Sequence, residues 1–353
     1  MYEEEDGAAK DNIAKVNEIA KKIKQGQDKF DSIWTRAKSD LDVANGIDNS
    51  QYSERDDKVR GDNRAKFSFP ILDKYIERVV GNYNANPFGI QYESNGNSGQ
   101  QKARIVSAIV KGIENRSNAK DVYRETLRNL TTVGYGWTHV TTEYDNEGDD
   151  SLDVSIKIES IKDYSSVLID PLSNHIDGSD AEWIAHVDYL SKKEARETYG
   201  EDACESHEGG LFESDFHDTD DTSIPIVTYY CKKVKQQQVY ITLDGQVSTD
   251  QIEGSTPKLK KNQLIECVKL VGNKIIFQHE LEGVSRIPII PAYGLPVYSE
   301  GTQQYVGIVH RAKDTQTLLK YSGSLAAERL ALGPKAQFTA PFESIKPFME
   351  TWK

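Results

Sequence analysis

The most informative stretch of the sequence is residues 303–332, which read QQYVGIVHRAKDTQTLLKYSGSLAAERLAL. The stretch contains no proline, and Gly333-Pro334 directly after it is a normal helix stop. We therefore predict one helix over 303–332, roughly 45 Å long at about 1.5 Å per residue.

Apolar residues form two stripes along this predicted helix. The first stripe consists of Ile308, Ala312, Leu319, Ala326 and Leu330, and the second, at heptad spacing, of Leu318, Leu325 and Leu332. A helix with two apolar stripes commonly contacts two neighbours, as in a bundle or a closed ring of identical helices. An ordinary core helix fits the composition equally well, so the pattern alone leaves both interpretations open.

The chain upstream of this helix changes from a helical to a strand-like pattern near Gly134. Apolar residues with a 3.6 period predict helices over 10–24, 27–45, 69–83 (with Ser68 as N-cap), 105–113 and 122–133. Alternation with period 2 then predicts a hairpin of 136–144 and 152–158, strands at 166–170, 183–190, 225–234, 238–243, 263–270 and 274–281, and an edge strand at 287–294. A capping box at Ser191–Glu194 predicts a short helix. This order predicts an α+β fold: a helical N-terminal part, an antiparallel strand-rich body and a long helix near the C-terminus.

The charge of the chain is unevenly distributed. Its 353 residues contain 43 Lys and Arg against 56 Asp and Glu, a net charge of −13. Segments 3–6, 143–153 and 201–221 carry 19 of those acids and no Lys or Arg. The rest of the chain is mildly basic. Such a balance disfavours tight, nonspecific duplex binding, which needs clustered Lys and Arg.

Several classes of protein lack support in the sequence. There is no G-x-x-x-x-G-K-[ST] phosphate loop, no H-E-x-x-H and no G-x-S-x-G, so we predict neither an ATPase nor another enzyme, and no cofactor. No apolar run approaches the roughly 18 residues of a membrane span. Three cysteines without a Cys-x-x-Cys pair argue against a disulfide framework. His139 and His186 lie in predicted strands, where we expect packed or edge histidines rather than catalytic bases.

One enzymatic alternative uses the acidic loop 201–221. A metal-dependent hydrolase of phosphodiesters or glycans could bind its metal through the carboxylates and the imidazole of this loop. The residues are Asp215, His217, Asp218, Asp220 and Asp221. A Gly/Ser/Asp loop gives a metal little fixed geometry, so we expect no metal there.

Five blocks in the same order along the chain resemble portal proteins of short-tailed, podovirus-type bacteriophages. The first is Arg64–Tyr92, RAKFSFPILDKYIERVVGNYNANPFGIQY, and the others are 128–147, 166–190, 287–294 and 305–324. The N-terminal 60 residues and the acidic loop have no counterpart in this resemblance. It implies a portal-type fold with an N-terminal helical segment (1–60), an α+β wing (61–300), a stem helix (303–332) and the start of a clip (333–353).

The resemblance also implies the function and the partners. Portal proteins form a ring of twelve copies at one capsid vertex, assembled in the host cytoplasm, through which double-stranded DNA is packaged and ejected. The ring contacts the major capsid protein, the large terminase subunit that drives packaging, and a tail adaptor. It contacts no membrane. A channel through which DNA moves cannot bind it tightly, so its wall should not be strongly basic, and the charge balance of this chain agrees with that. The family pattern continues beyond a clip, so we expect this chain to be truncated within it.

Residues of the predicted stem helix are our site candidates. For contacts with DNA phosphates or neighbouring subunits they are Arg311, Lys313, Lys320 and Arg329, and for the apolar ring interface they are Ile308, Leu318, Leu319, Leu325 and Ala326. A closing ring needs a heterologous, head-to-tail interface, which a two-striped helix can supply. A smaller head-tail adaptor that uses the same helix in a bundle is the remaining alternative.

Overall fold

Helices and antiparallel sheets make up the computed structural model of the chain. It describes residues 2–47, 55, 58, 66–87, 89–90, 92–93, 99–144, 154–200, 223–241, 247–248, 256–272, 274–281, 283–299, 302–332 and 341–348. The helices in this part of the chain are α1 (Tyr2–Asn45), α2 (Ile71–Ala85), α3 (Gln100–Arg116), α4 (Ala119–Thr132), α5 (Lys192–Tyr199), α6 (Ile308–Leu332) and α7 (Phe342–Ile345), with single 3-10 turns at Tyr164–Ser166 and Lys346–Phe348. The predicted boundary of the N-terminal segment at residues 60 and 61 and the acidic loop 201–221 lie outside the described residues.

The strands of the described residues form three antiparallel sheets, and the predicted α+β class is confirmed. The strands are β1 (Tyr135–Tyr144), β2 (Val154–Ile161), β3 (Val167–Ile169), β4 (Trp183–Ser191), β5 (Ser223–Ile241), β6 (Val247–Ser248), β7 (Thr256–Val271), β8 (Lys274–Leu281), β9 (Ile289–Tyr293), β10 (Leu295–Ser299) and β11 (Thr302–Val306). The sheet orders are β2-β1-β9, β10-β11 and β3-β4-β5-β7-β8, with β6 paired to β5. The proline-containing strand β9 lies at an edge, as its sequence predicts.

Helix α1 is one continuous helix of 44 residues, so the prediction of separate helices over 10–24 and 27–45 is wrong at their break. Gly26 lies inside α1, and a Cβ placed there would be 2.9 Å from the ring of Trp183 on β4. Glycine in a helix interior costs about 1 kcal/mol relative to alanine. Here it allows the helix to pack closely against the sheet, and the packing on both sides of Gly26 keeps the helix intact.

Strands β5 and β7 are longer than the sequence indicates. The predicted strand 225–234 and residues 238–241 of the predicted strand 238–243 belong to the single strand β5, and residues 242–243 lie outside the described residues. The prediction 263–270 covers only the second half of β7. Their ladder runs without interruption from Ile226↔Val271 to Ile241↔Thr256. The polar run Lys235–Gln238 interrupts the alternation of side chains, but backbone hydrogen bonds to the partner strand continue through it.

Most of the core lies between α1 and the sheets. Ile23, Trp34, Trp137, Ile184 and Val268 are among its buried side chains, which come from α1, β1, β4 and β7. A second, smaller cluster joins the end of α1 to α2 and α6; its members are Val43, Ala44, Leu72, Ile76, Val80 and Val309. Helix α1 therefore contributes to both clusters.

A buried carboxylate links α1 to the six-stranded sheet. Glu266 on β7 is 3% exposed, and its Oε1 lies 2.9 Å from Lys15 Nζ of α1 and 2.9 Å from Lys233 Nζ of β5. Gln278 of β8 donates a hydrogen bond of 2.8 Å to the same oxygen. Burial alone would raise the pKa of Glu266, but the hydrogen bonds from the two ammonium groups outweigh it and lower the pKa.

Capping was predicted correctly at one helix and wrongly at another. The Ser191 hydroxyl accepts a hydrogen bond of 3.3 Å from the backbone N–H of Glu194 and opens α5 as predicted. At α2 the cap position belongs to Pro70, and no side chain caps the helix. The Ser68 hydroxyl instead donates to the carbonyl oxygen of Gly46, 2.9 Å away. Ser68 thus ties the start of α2 to the end of α1.

Three glycines bring backbone segments together where α6 begins. A Cβ on Gly307 would overlap the carbonyl oxygens of Thr131 and Thr132 at the end of α4, and a Cβ on Gly294 would lie 2.5 Å from the Val306 oxygen. Gly134, at φ +95°, accepts a 2.9 Å hydrogen bond from Gly294 N–H. We call Gly134, Gly294 and Gly307 the glycine junction. It fixes the start of α6 against α4 through backbone contacts.

The long helix begins later than the sequence predicts. Thr302–Val306 forms strand β11, which pairs with β10, and α6 covers Ile308–Leu332. Gly307 separates the two elements, and this residue is the signal that the prediction of a helix from 303 overlooked.

Candidate functional site

Helix α6 buries polar side chains against the rest of the protomer. Val309, Gln316, Lys320 and Ser324 are its buried residues, spaced as one face of a helix. The Gln316 side-chain amide donates to the carbonyl oxygen of Phe69, and the Ser324 hydroxyl accepts a hydrogen bond of 2.9 Å from Phe67 N–H. These hydrogen bonds hold α6 against the chain segment that leads into α2.

The exposed part of α6 carries several large apolar side chains, beside polar ones such as Arg311, Asp314 and Thr315. Leu318 is 66% exposed and Leu319 is 42% exposed, and Ile308 and Leu330 are exposed as well. Of the other predicted interface residues, Leu325 is half-buried and Ala326 is exposed. A helix that keeps polar groups inside and leaves leucines outside has the opposite pattern from an ordinary surface helix. The outer face therefore has the character of an association surface.

An ion cluster fixes the first turns of α6 to α1. Asp40 of α1 is fully buried; its Oδ1 lies 3.2 Å from Lys313 Nζ, and its Oδ2 lies 3.3 Å from His310 Nδ1. A buried carboxylate needs a cationic partner such as Lys313, because its removal from water is costly. Asp40 is not among the predicted site residues, and its only signal in the sequence is a charged residue at a helix position that faces the core.

The four candidate cations occupy different environments. Arg311 and Arg329 are exposed, and Arg311 forms no ion pair with any described residue. Lys313 is engaged with Asp40, and Lys320 is 3% exposed. The structure thus leaves the two arginines on the outside and directs the two lysines toward the protomer's own interior. Their roles toward DNA or a neighbouring subunit stay predictions.

An apolar groove runs between α2 and α6. It has a volume of about 660 Å³, and its apolar lining includes Ile71, Tyr75, Val79, Ile308, Leu318 and Leu319. Arg78 and Arg311 also line it, and its described lining includes no Asp or Glu. We call this the α2–α6 groove. It contains three of the predicted interface residues, Ile308, Leu318 and Leu319.

Sequence reasoning missed the contribution of α2 to this groove. Val79 shares the helical spacing of Leu72 and Ile76 in the sequence, but it is 37% exposed while Val80 is buried. Tyr75 and Val79, at i and i+4, form an apolar pair on the outer face. This spacing is the signal that could have identified the second wall of the groove.

A polar cavity of about 660 Å³ lies between the two larger sheets. His139 of β1 and His186 of β4 line it with their ring centroids 6.4 Å apart. His139 Nε2 is 3.1 Å from the Tyr230 hydroxyl, and His186 Nδ1 is 3.5 Å from Asp188. Burial, together with the neighbouring His186, lowers the pKa of His139 to about 4, and burial lowers the pKa of His186. Both are packed histidines, as the sequence suggests.

We expect the stability of the fold to decrease on acidification because of this pair. His139 has an ordinary pKa of 6.5 and a folded pKa of about 4, so the unfolded chain binds more protons between these values. Glu159, Asp163, Asp188 and Lys269 are the charged groups around the histidines, and the carboxylates only partly offset the effect of burial. The contribution of His139 is complete above pH 6.5 and falls by about 3 kcal/mol toward pH 4, since each pKa unit corresponds to about 1.4 kcal/mol.

Urea unfolding at pH 7.0, 5.5 and 4.5 checks this expectation in the wild type and in His139→Gln. The variant should lose less stability than the wild type over this range, because its side chain does not titrate. His175→Gln, an exposed control, should follow the wild-type curve. Parallel curves for the wild type and His139→Gln would contradict the assignment.

Other kinds of site find no support in the part of the chain that the structure describes. No group of three or more His, Cys, Asp or Glu side chains there could hold a metal ion. The candidate hydrolase residues Asp215, His217, Asp218, Asp220 and Asp221 lie outside the described residues. No helix among the described residues is long and apolar enough to cross a bilayer.

An α+β body that carries a long helix with exposed leucines fits a structural protein that associates through that helix. The family model described as "Phage P22-like portal protein" matches residues 20–353. The match covers most of the chain, so the chain belongs to the family of phage P22-like portal proteins. The resemblance to podovirus-type portal proteins is confirmed. The protein is a phage portal protein, a structural component of the capsid vertex that serves DNA packaging.

Proposed function

We propose that this chain is one subunit of a ring of twelve identical copies that encloses a channel for double-stranded DNA at one capsid vertex. In this ring α6 is the stem helix, and its outer face contacts the neighbouring copy. The observation that carries the proposal is the orientation of α6, which buries Gln316, Lys320 and Ser324 and exposes Leu318 and Leu319. Exposed apolar surface of this kind favours association with another protein surface.

The site residues have separate roles in this proposal. Ile308, Leu318, Leu319, Leu325 and Ala326 supply apolar contacts between copies. Arg311 and Arg329 contact DNA phosphates or carboxylates of a neighbour, because both are exposed. Lys313 and Lys320 support the same surface from inside by holding α6 in place. The ring acts without hydrolysing nucleotide, and the large terminase subunit supplies that activity.

The remaining partners follow from the place of a portal in a virion. The wing contacts the major capsid protein, and the segment from residue 333 contacts first the terminase and later a tail adaptor. The ring assembles in the host cytoplasm and is retained in the virion. Binding of DNA is weak and salt-sensitive, because few exposed Lys and Arg side chains face the DNA.

Imaging of the purified chain tests the proposal. Mass photometry and negative-stain microscopy should show a ring with a central hole and the mass of twelve copies. An adaptor bundle would have no hole, and a single copy under conditions of capsid assembly would contradict the proposal.

Two substitutions on α6 test the interface itself. Leu319→Asp and Ala326→Asp should raise the concentration needed for half-maximal ring formation by about tenfold or more, because each places a carboxylate in a dry apolar contact. Their melting temperatures should stay close to that of the wild type, since both positions are exposed in the protomer. Val234→Asp, an exposed apolar position on β5, is the matched control and should leave ring formation unchanged. Unfolding of the two α6 variants would identify α6 as an ordinary core helix.

A further inference from the structure

The loop between β3 and β4, residues 170–182, presents two apolar side chains to solvent. Leu172 is 82% exposed and Ile176 is 70% exposed. They lie four residues apart on a connection that otherwise consists mostly of polar residues and glycine. Large apolar side chains that stand out from a connection in this way are suited to enter a pocket on another protein.

The loop is held in one conformation by its own carboxylates. Asp180 accepts hydrogen bonds from the Ser173 hydroxyl and from the backbone N–H groups of Asn174 and His175 at 2.6–3.2 Å. Burial alone would raise the pKa of Asp180, but these hydrogen bonds lower it to about 2. Asp170 accepts from Leu172 N–H at 3.0 Å. A connection fixed in this way loses little conformational entropy when a partner binds it.

The loop is also anchored from outside. Lys29 of α1 donates to the carbonyl oxygen of Pro171, and Lys232 of β5 donates to that of Ser179 at 2.6 Å. Gly178, at φ +62°, packs so closely on Pro291 that an added Cβ would lie 2.9 Å from the proline ring. These contacts therefore hold Leu172 and Ile176 in fixed positions.

We propose that the loop 170–182 of one copy inserts Leu172 and Ile176 into the α2–α6 groove of the next copy in the ring. This inference rests on the proposed function, because it identifies the partner surfaces of the ring interface. The groove offers apolar walls at Tyr75, Val79 and Leu319. Convex apolar residues on one part of a chain and a concave apolar surface on another are what a heterologous contact requires.

Charge supports this pairing. Residues 170–182 contain four acids and no Lys or Arg. Asp170 is buried, Asp177 pairs with Arg286 at 3.3 Å and Asp180 binds the loop's own N–H groups, so the charge open to a partner lies mainly on the exposed Glu182. Among the described residues that line the groove are Arg78 and Arg311 but no acid, and neither arginine forms an ion pair with a described residue. The loop thus places the carboxylate of Glu182 near its apolar pair, and the described lining of the groove places two arginines beside its apolar walls. Complementary charges of this kind favour encounter in the correct orientation.

A competing occupant of the groove is the outer face of α3. Ile105, Val106 and Ile109 are exposed there and form an apolar ridge. Helix α3 carries Lys102, Arg104, Lys111 and Arg116 against the single acid Glu114. A basic ridge would place like charges against Arg78 and Arg311, and such a juxtaposition is unfavourable. The loop 170–182 is therefore the better match.

The loop cannot reach the groove of its own chain. It lies beside Lys29 of α1, whereas the floor of the groove at Leu72 packs with Val43 and Ala44 at the far end of the same helix. Fourteen helical residues separate these positions, roughly 21 Å along the axis. The occupant must therefore come from another copy.

Disulfide trapping tests the pairing in the full chain. Ile176→Cys and Leu319→Cys are combined in one variant, which is oxidised and separated on a non-reducing gel. Only cysteines whose Cβ atoms approach to about 4 Å form a disulfide. A heterologous contact joins each copy to the next, so we expect a ladder of dimers, trimers and larger species. Mixing the two single variants should give covalent dimers only.

The matched control is Ile105→Cys with Leu319→Cys, which places the cysteine on the α3 ridge. We expect about tenfold less cross-linked product from this pair, because like charges disfavour its approach. A ladder from the control pair in place of the loop pair would overturn the inference and assign the groove to α3.

Mass photometry of the same samples separates this inference from the proposed function. Rings without a ladder from Ile176→Cys and Leu319→Cys would overturn the loop–groove pairing and leave the ring intact. Single copies without cross-links would overturn both. Rings together with a ladder would support both.

Discussion

Gly307→Ala is expected to lower the free energy of unfolding by about 3 kcal/mol, since a methyl group forced into a filled site costs this much or more. The added Cβ would overlap the carbonyl oxygens of Thr131 and Thr132. These are backbone atoms at the end of α4, so they cannot move aside as a flexible side chain could. The start of α6 would have to shift away from α4. Chemical denaturation followed by circular dichroism measures the loss.

Gly112→Ala provides the control for this substitution. Gly112 lies in the middle of α3, and a Cβ there meets no atom within 4 Å. Alanine should therefore raise stability by about 0.5–1 kcal/mol, because it restricts the unfolded chain and favours the helix. A Gly307→Ala variant as stable as the wild type would show that α6 does not contact the end of α4 as described.

Glu266→Ala is expected to destabilise the chain by about 3 kcal/mol, the lower end of the range for breaking a buried ion pair. The substitution leaves Lys15 and Lys233 without their shared carboxylate and removes the acceptor of Gln278. Both lysines retain access to water, which limits the loss. The lowered pKa of Glu266 means that its contribution is present above its ordinary value of 4.5 and is lost as the pH falls through the lower folded value.

The matched control is Glu280→Ala on the neighbouring strand β8. Glu280 pairs with Lys235 at 3.5 Å, and both side chains are largely exposed. Surface pairs of this kind contribute about 0–1 kcal/mol, so the control should stay near wild-type stability. Equal effects of Glu266→Ala and Glu280→Ala would mean that burial of the Glu266 cluster contributes nothing. Urea unfolding at pH 7 gives both values.

The sequence predicted the parts of the fold that depend on local pattern. The hairpin of β1 and β2, the helices α3 and α4 and the cap of α5 at Ser191 follow from periodicity and capping chemistry. The break near Gly26 was wrong because the contact with Trp183 depends on the sheet, which lies more than 150 residues further along the chain. The same applies to β5, whose polar centre pairs with β7.

The candidate site was only partly visible in the sequence. The two apolar stripes of α6 marked Leu318 and Leu319 as unusual, but the pattern could not say which face points outward. That depends on Gln316 and Ser324 finding backbone partners at Phe69 and Phe67. Tyr75, Val79 and Asp40 belong to elements far away in sequence, so only the folded chain brings them to α6.

The length of α1 has a mechanical consequence. A continuous 44-residue helix is a stiff rod of roughly 66 Å. One stretch of it is bonded to the central sheet at Glu266, and its far end holds α6 through Asp40. The glycine junction is a second contact of α6 with the body, and its tightly packed backbone atoms leave little room for movement. A displacement of α6 is therefore transmitted along α1 to the central sheet, and the contacts between them absorb little of it.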